Sequence, residues 1–212
     1  MLVRRQSNGY AEKTSKMFKG YGHYLLKYLK QPSEIFIQEI KEFTYAVVTM
    51  FFLSLFVGLA IFTNMKEFGA PSLSTIGNAA VLVVVSTFVV VGSLYLTAIL
   101  LGPEHTFKKL VTLYGTHLIP STVLVGISLL LLLLKINSLG NLLLLFALLF
   151  ALLIVPLYIL VKIQTAEVAM LDPLYDIVVY IVIFGIITSI CLAIFGELIQ
   201  GDVLNWLSFM SR

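Results

Sequence analysis

The sequence has few charged residues and a single cysteine. Charged side chains make up 12% of its 212 residues, about half the share usual in soluble domains. Hydrophobic residues make up 59%, and the mean hydropathy is +1.02. So few charges cannot cover the surface of a soluble fold. The lone Cys191 excludes an intrachain disulfide and a four-cysteine metal site. The composition therefore predicts an integral membrane protein.

The sequence also lacks the short motifs that mark common enzyme classes. It contains no hydrolase nucleophile elbow, zinc-protease helix, phosphate-binding loop or dinucleotide fingerprint. Its histidines, His23, His105 and His117, lie far apart with few carboxylates nearby. A metal pair of His105 and His117 is conceivable, but the spacing is not that of ligands on one helix face. We predict a non-enzymatic protein with no catalytic residue, metal or cofactor.

Five apolar runs are close to the length of about 20 residues that a helix needs to cross a bilayer. The predicted spans are residues 44–63, 78–101, 118–134, 141–161 and 177–198. The first 43 residues are too polar to span and do not resemble a cleavable signal, so we expect the mature chain to begin at Met1. The predicted fold is an all-α bundle of five transmembrane helices at 44–212, preceded by a basic amphipathic segment at 1–43.

The lysines and arginines are distributed unevenly between the two sides of these spans. Eleven of the fourteen fall on the side of the N-terminus, eight of them before the first span. Because basic residues are enriched in cytoplasmic loops, the N-terminus is predicted to be cytoplasmic and the C-terminus outside. The membrane we expect is a bacterial plasma membrane.

Two polar segments are predicted to form amphipathic helices at the cytoplasmic surface of the membrane. In the first, an apolar face consists of Phe18, Tyr21, Leu25 and Tyr28. In the second, which Thr106 can cap, the face consists of Phe107, Leu110, Val111, Tyr114 and Leu118. The lysines that lie mostly off these faces are candidate contacts for lipid headgroups: Lys27, Lys30, Lys108 and Lys109. A protein-docking face remains an alternative for the first segment. Nucleic acid is not an expected partner, because acids dilute its charge.

The predicted spans themselves contain little polar chemistry. They hold no ionisable group at mid-membrane depth, which argues against a proton-coupled transporter or a charge-lined channel. Small residues recur at four-residue spacing in the fifth span, at Gly185, Ser189 and Ala193. Such a stripe packs closely against another helix, either within the bundle or in a second copy. Pro156 should kink the fourth span, and neighbours must then satisfy the freed backbone groups.

Two stretches carry a resemblance to a known family. The stretch TFKKLVTLYGTHLIPSTVL, from Thr106, runs through an aromatic–glycine step into a span with an early proline. It resembles the bacterial branch of the Yip family, membrane proteins named for interaction with Ypt/Rab GTPases. YLLKYLKQPSEIF, from Tyr24, is similar to that branch, as is the five-span layout. The resemblance covers Gly20 to Leu198. It implies a membrane protein without catalytic residues, which in eukaryotes would be a vesicle-trafficking scaffold.

Two functions remain open at this level. The first is a scaffold or accessory protein that acts through helix packing and its amphipathic segments. The second is a small permease, channel or lipid-handling protein, suggested by the hydroxyl side chains of spans two, three and five. The expected partners are membrane lipids, other membrane proteins or a second copy of the chain.

Overall fold

The computed structural model describes residues 20–30, 43–66, 73–101, 106–166 and 173–210, and for residues 73, 164–166, 173 and 195–210 it describes the backbone alone. The chain divides into two units, Met1–Glu39 and Ile40–Arg212. In the first unit, residues 20–30 form helix α1. Tyr24 and Tyr28 are buried there, whereas Leu26 and Leu29 are more than half exposed. Phe18, from the predicted face of this helix, lies outside the described residues.

The second unit is a bundle of α-helices. In chain order they are α2 (Phe43–Met65), α3 (Leu73–Leu101), α4 (Phe107–His117), α5 (Ile119–Leu133), α6 (Asn137–Leu149), α7 (Val155–Ala166) and α8 (Pro173–Met210). A π-helical turn, Phe150–Ile154, joins α6 to α7. Within the described residues, five helical segments are long and apolar enough to cross a membrane. The predicted all-α membrane bundle is therefore confirmed as a fold class.

Contacts between helix ends fix the arrangement of the bundle. At one end, the Lys108 ammonium lies 5.3 Å from the Phe43 ring, which joins the starts of α4 and α2. Near the other end, the Asn64 side chain of α2 donates to Asn141 of α6 over 2.6 Å. We call the end that contains Phe43 and Lys108 the α2-start end. Helices α4 and α8 also begin there, and α3 and α7 end there.

Close helix packing in the bundle depends on glycine. A Cβ atom added to Gly115 of α4 would lie 2.8 Å from the Ala46 carbonyl oxygen of α2. At Gly58, the added atom would lie 2.8 Å from the carbonyl oxygen of Ile76. Real Cβ atoms do not approach this closely, so these two glycines let α2 pack directly against α4 and α3. Small residues have this role in membrane helix bundles generally.

Helix α4 confirms one prediction and corrects another. Thr106 caps it, with its side-chain oxygen accepting from Lys109 N at 3.4 Å. A helix in the headgroup layer would keep one face exposed, but every residue from Thr112 to Ile119 is buried. Phe107, from the predicted apolar face, is instead 41% exposed. The exposed polar face predicted for this helix is therefore wrong from Thr112 onward, whereas its placement at the membrane surface stays a prediction. The sequence pattern missed this burial because threonines and a glycine on the polar side also pack inward.

The third span is longer than predicted. Backbone hydrogen bonds continue across Leu118, from Leu118 N to Tyr114 O and from Thr122 N to Leu118 O. Pro120 does not end the helix, because proline is tolerated in a first helical turn. The candidate membrane segment therefore runs from Phe107 to Leu133 and includes His117. The last candidate segment begins at Leu174 and includes the carboxylate of Asp176. These two ionisable side chains, which lie outside the predicted spans, are thus within the candidate segments, and the prediction that no ionisable group lies at mid-membrane depth stays a prediction.

The link between α5 and α6 is a tight turn of the Schellman type. Ile136 N donates to Leu131 O over 2.9 Å, and Lys135 N donates to Leu132 O over 3.0 Å. Lys135 takes a left-handed backbone with φ 62°, a position where glycine is favoured. The Ser128 hydroxyl then donates to Gly140 O over 2.7 Å and fastens the two helices together. The predicted turn at 135–141 is shorter than expected, since α6 starts at Asn137.

Candidate functional site: a buried polar cluster and an adjoining groove

The candidate site is centred on the π-helical turn in the fourth span. Pro156 has no N–H group, so it cannot donate to the backbone of the preceding turn. The Val155 N–H donates to Phe150 O, which is π-helical spacing. At that spacing the next carbonyl oxygen, of Ala151, would accept from the N–H group of residue 156. Residue 156 is the proline, which has no such group. The local sequence therefore leaves the Ala151 carbonyl without its helical donor.

Tyr114 supplies a donor to this carbonyl. Its hydroxyl donates to Ala151 O at 3.2 Å, and both residues are almost fully buried. The bond joins α4 to the π-helical turn across 37 residues of chain. A neighbour thus satisfies a backbone carbonyl next to Pro156, as predicted, and the predicted kink of span four stays a prediction. The inward position of α4 is what brings Tyr114 within reach.

Two polar residues of α8 complete the cluster. Tyr180 is near enough to Tyr114 for their phenol groups to interact electrostatically. Asp176 lies one turn earlier on the same side of α8, and it is 1% exposed. Of the groups that the structure describes, none forms a hydrogen bond with Asp176 Oδ1 or with Tyr180 Oη. Buried polar atoms are usually hydrogen-bonded, so both atoms require an explanation.

His117 and Ser121 extend the cluster along the third span. The His117 ring nitrogen Nδ1 lies 2.8 Å from Leu113 O, and the ring packs 5.5 Å from that of Tyr158. Ser121 is fully buried one turn further along. Within the described ranges, no three His, Cys, Asp or Glu side chains come together in a way that could hold a metal ion. The cluster is therefore a set of phenol, imidazole, hydroxyl and single carboxylate groups.

A mostly apolar groove adjoins the polar cluster along α8. It has a volume of about 130 Å³, opens partly to the surface, and lies between α3, the π-helical turn and α8. Its lining includes Val85 and Ser86 from α3, Leu152 from the turn, and Phe184 and Thr188 from α8. The rings of Phe184 and Tyr180 are stacked 5.9 Å apart, so the groove begins directly beside the polar cluster. The Thr188 hydroxyl is buried here and has no hydrogen-bond partner among the described groups.

Of the lysines proposed as headgroup contacts, the two in the bundle, Lys108 and Lys109, lie outside this cluster. Lys108 is exposed at the α2-start end of the bundle, and Lys109 is half-buried beside it. On α1, Lys30 is exposed and Lys27 is half-buried. Exposure of Lys108 and Lys30 is compatible with lipid contact, which stays a prediction for all four.

The predicted small-residue stripe lies on the outside of the bundle. Gly185, Ser189 and Ala193 are all exposed. A Cβ atom added to Gly185 would meet no described atom within 4 Å. The stripe therefore does not pack against the described helices of its own chain. Its packing against a helix of another chain stays a prediction.

Sequence reasoning missed the central residues of the cluster. Asp176 was placed outside the fifth span, and Tyr180 carried no motif. Their four-residue spacing with Phe184 and Thr188 on α8 was the available signal, but it differs little from an ordinary packing face. Comparison with known proteins adds no neighbour to this geometry: no protein-family model, curated protein or solved structure matches the chain significantly.

Proposed function

We propose that this protein is a non-enzymatic scaffold or accessory protein of the membrane, which acts by presenting α8 to another membrane protein or to a second copy. The observation that supports this is the exposure of α8. Only 6% of its most apolar window is buried, compared with 39–50% in the other four spans. It packs against α3 and α7 along one side.

The chemistry of the exposed side of α8 fits contact with another helix. The stripe of Gly185, Ser189 and Ala193 lies between large exposed side chains such as Ile186 and Leu192, which are 55% and 54% exposed. Small residues on a helix surface allow a second backbone to approach, and the flanking aliphatic side chains then pack on both sides of it. Lipid alone can cover this surface, but it gains nothing from such a stripe.

The orientation and the family resemblance belong to the same proposal. With the N-terminus cytoplasmic, the α2-start end of the bundle faces the cytoplasm, and Lys108 at that end contacts anionic headgroups. Lys30 of the first unit is proposed to contact the same kind of headgroup. The membrane is proposed to be a bacterial plasma membrane. Membership of the Yip family would fit a non-enzymatic scaffold of this layout.

Site-specific photo-cross-linking in native membranes tests the proposal. A photoreactive amino acid at Ile186 should give a discrete protein adduct, and the double substitution Gly185→Leu and Ala193→Leu should abolish it. The matched control is a probe at Leu145, which is 44% exposed on α6 and should give no such adduct. Equal adducts from both positions, or an adduct insensitive to the double substitution, would contradict the proposal.

The alternative is a small permease, channel or lipid-handling protein, and the groove between α3 and α8 favours its lipid-handling form. Two hydroxyl side chains, Ser86 and Thr188, lie in an otherwise apolar lining. Lipid scrambling or solute flux in proteoliposomes, abolished by Thr188→Trp but not by Ser189→Trp on the exposed side, would favour this alternative over the scaffold.

A further inference from the structure

One side of α8 combines a polar end with an apolar continuation. Asp176, Tyr180, Phe184 and Thr188 follow one another at four-residue spacing, which keeps them on one side of the helix. The first two belong to the polar cluster, and the second two line the groove. Polarity therefore falls along α8 from the α2-start end towards the middle of the bundle.

The polar end carries a carboxylate with one oxygen that receives no hydrogen bond from the described residues. Asp176 is 1% exposed, and in the part of the chain that the structure describes no group forms a hydrogen bond with its Oδ1 atom. The neighbouring phenol of Tyr180 is 3% exposed and equally lacks a partner among those groups. A buried carboxylate that stays ionised is strongly destabilising unless a cation or hydrogen-bond donors compensate it; otherwise it takes up a proton. The ligand chemistry that fits is a cationic hydrogen-bond donor.

The apolar end lies at the depth of lipid chains. At about 1.5 Å per residue, Phe184 is about 12 Å and Leu192 about 24 Å along the helix from Asp176. Asp176 stands in the first helical turn, beside the start of the candidate membrane segment at Leu174. It is therefore near headgroup level, and the groove reaches the region of the chain ends, since half of the hydrocarbon core is about 15 Å thick.

The size of the groove decides between a lipid chain and a protein segment. Its volume of about 130 Å³ is far too small for a helix. It is close to that of an apolar cavity of about 150 Å³ that accepts a benzene molecule. A short stretch of one hydrocarbon chain fits this space.

We propose that this side of α8 binds a membrane amphiphile with an ammonium headgroup. The ammonium pairs with the Asp176 carboxylate and donates to the Tyr180 hydroxyl oxygen, and a hydrocarbon chain occupies the groove between α3 and α8. An anionic headgroup is disfavoured, because it would meet the carboxylate without a counter-charge. This site goes beyond the scaffold function and does not depend on it.

Native mass spectrometry of the delipidated full-length protein tests the proposal. The probes are phosphatidylethanolamine and phosphatidylglycerol with identical acyl chains, with free ethanolamine as a third probe. We expect phosphatidylethanolamine to bind at least tenfold more tightly than phosphatidylglycerol. Free ethanolamine should compete poorly, because it lacks the chain. Equal binding of the two lipids would overturn the proposal.

Variants separate the two halves of the site. Asp176→Asn should remove the tenfold preference and leave the weaker binding common to both lipids, and Tyr180→Phe should reduce the preference about threefold. Thr188→Trp, which fills the groove, should weaken the binding of both lipids. Its matched control, Ser189→Trp on the exposed side, should leave both unchanged. If folded Tyr180→Phe and Asp176→Asn variants both keep the preference, or Thr188→Trp has no effect, the site is not the one proposed.

Discussion

Replacement of Tyr114 by phenylalanine tests the link between α4 and the π-helical turn. The substitution keeps the ring, which is 1% exposed, and removes the hydroxyl that donates to Ala151 O at 3.2 Å. That carbonyl has lost its helical donor to Pro156, so no adjacent backbone group can replace the hydroxyl. The Ala151 carbonyl would then be a buried acceptor without its present donor.

The expected destabilisation follows from this position. A buried polar group left without its partner costs about 1–3 kcal/mol in soluble proteins, whereas side-chain hydrogen bonds in membrane bundles average about 0.6 kcal/mol. A carbonyl next to a proline has few alternative donors. We therefore expect Tyr114→Phe to lower the free energy of unfolding by about 1–2 kcal/mol.

A double-mutant cycle with Pro156→Ala isolates this interaction. Alanine restores an N–H group at the position from which Ala151 O lacks a donor. The destabilisation by Tyr114→Phe should therefore fall by at least half in the Pro156→Ala background. Unfolding of the purified protein by sodium dodecyl sulfate in mixed micelles, followed by circular dichroism, measures all four variants. An effect of Tyr114→Phe that is equal in both backgrounds would refute the reasoning.

Four further substitutions are predicted from the packing of the bundle, with the free energy of unfolding as the measurement. Gly115→Ala should destabilise by about 1–3 kcal/mol, because the new Cβ would lie 2.8 Å from backbone of α2. Gly92→Ala should instead stabilise the protein by up to about 1 kcal/mol, because no described atom lies within 4 Å of the new Cβ. If Gly115→Ala and Gly92→Ala change the free energy of unfolding in the same direction, the packing account is contradicted. Lys135→Gly should stabilise the protein by about 0.5–1 kcal/mol, because glycine adopts the left-handed backbone at φ 62° without strain. An unchanged free energy of unfolding would contradict this backbone conformation. Asn64→Leu should lower the free energy of unfolding by about 0.6–1.7 kcal/mol, and adding Asn141→Leu should recover part of this loss. If the effects of the two substitutions simply add, the hydrogen bond between these residues is excluded.

The sequence predicted the positions of the helices along the chain better than it predicted how they pack against one another. Runs of about 20 apolar residues define spans whatever packs against them, so the five long helices follow from length and composition. The capping hydroxyl of Thr106 and the disturbance at Pro156 were predictable for the same reason, since each acts within a few residues of its own position. Both are local backbone effects.

The position of α4 could not be predicted because it depends on another helix. Its lysines and threonines form an apparently polar side, which suggested a helix at the membrane surface. Burial of the threonines on that side requires the close approach of α2 at Gly115, and a helical pattern does not reveal which glycine faces a neighbour. Asp176 was missed for a related reason. Its burial depends on the packing of α8, and the periodicity of one helix contains no information about that packing.

The side of the membrane that each loop faces is the most direct test of the five-span account. In a Cys191→Ala background, a cysteine replaces either Thr106, before α4, or Lys135, in the turn between α5 and α6; both positions are exposed. A membrane-impermeant maleimide applied to intact cells should label Lys135→Cys at once and Thr106→Cys only after permeabilisation. Labelling of both positions from the same side would contradict the crossing of the third span, and with it the proposed orientation of the polar cluster and of α8.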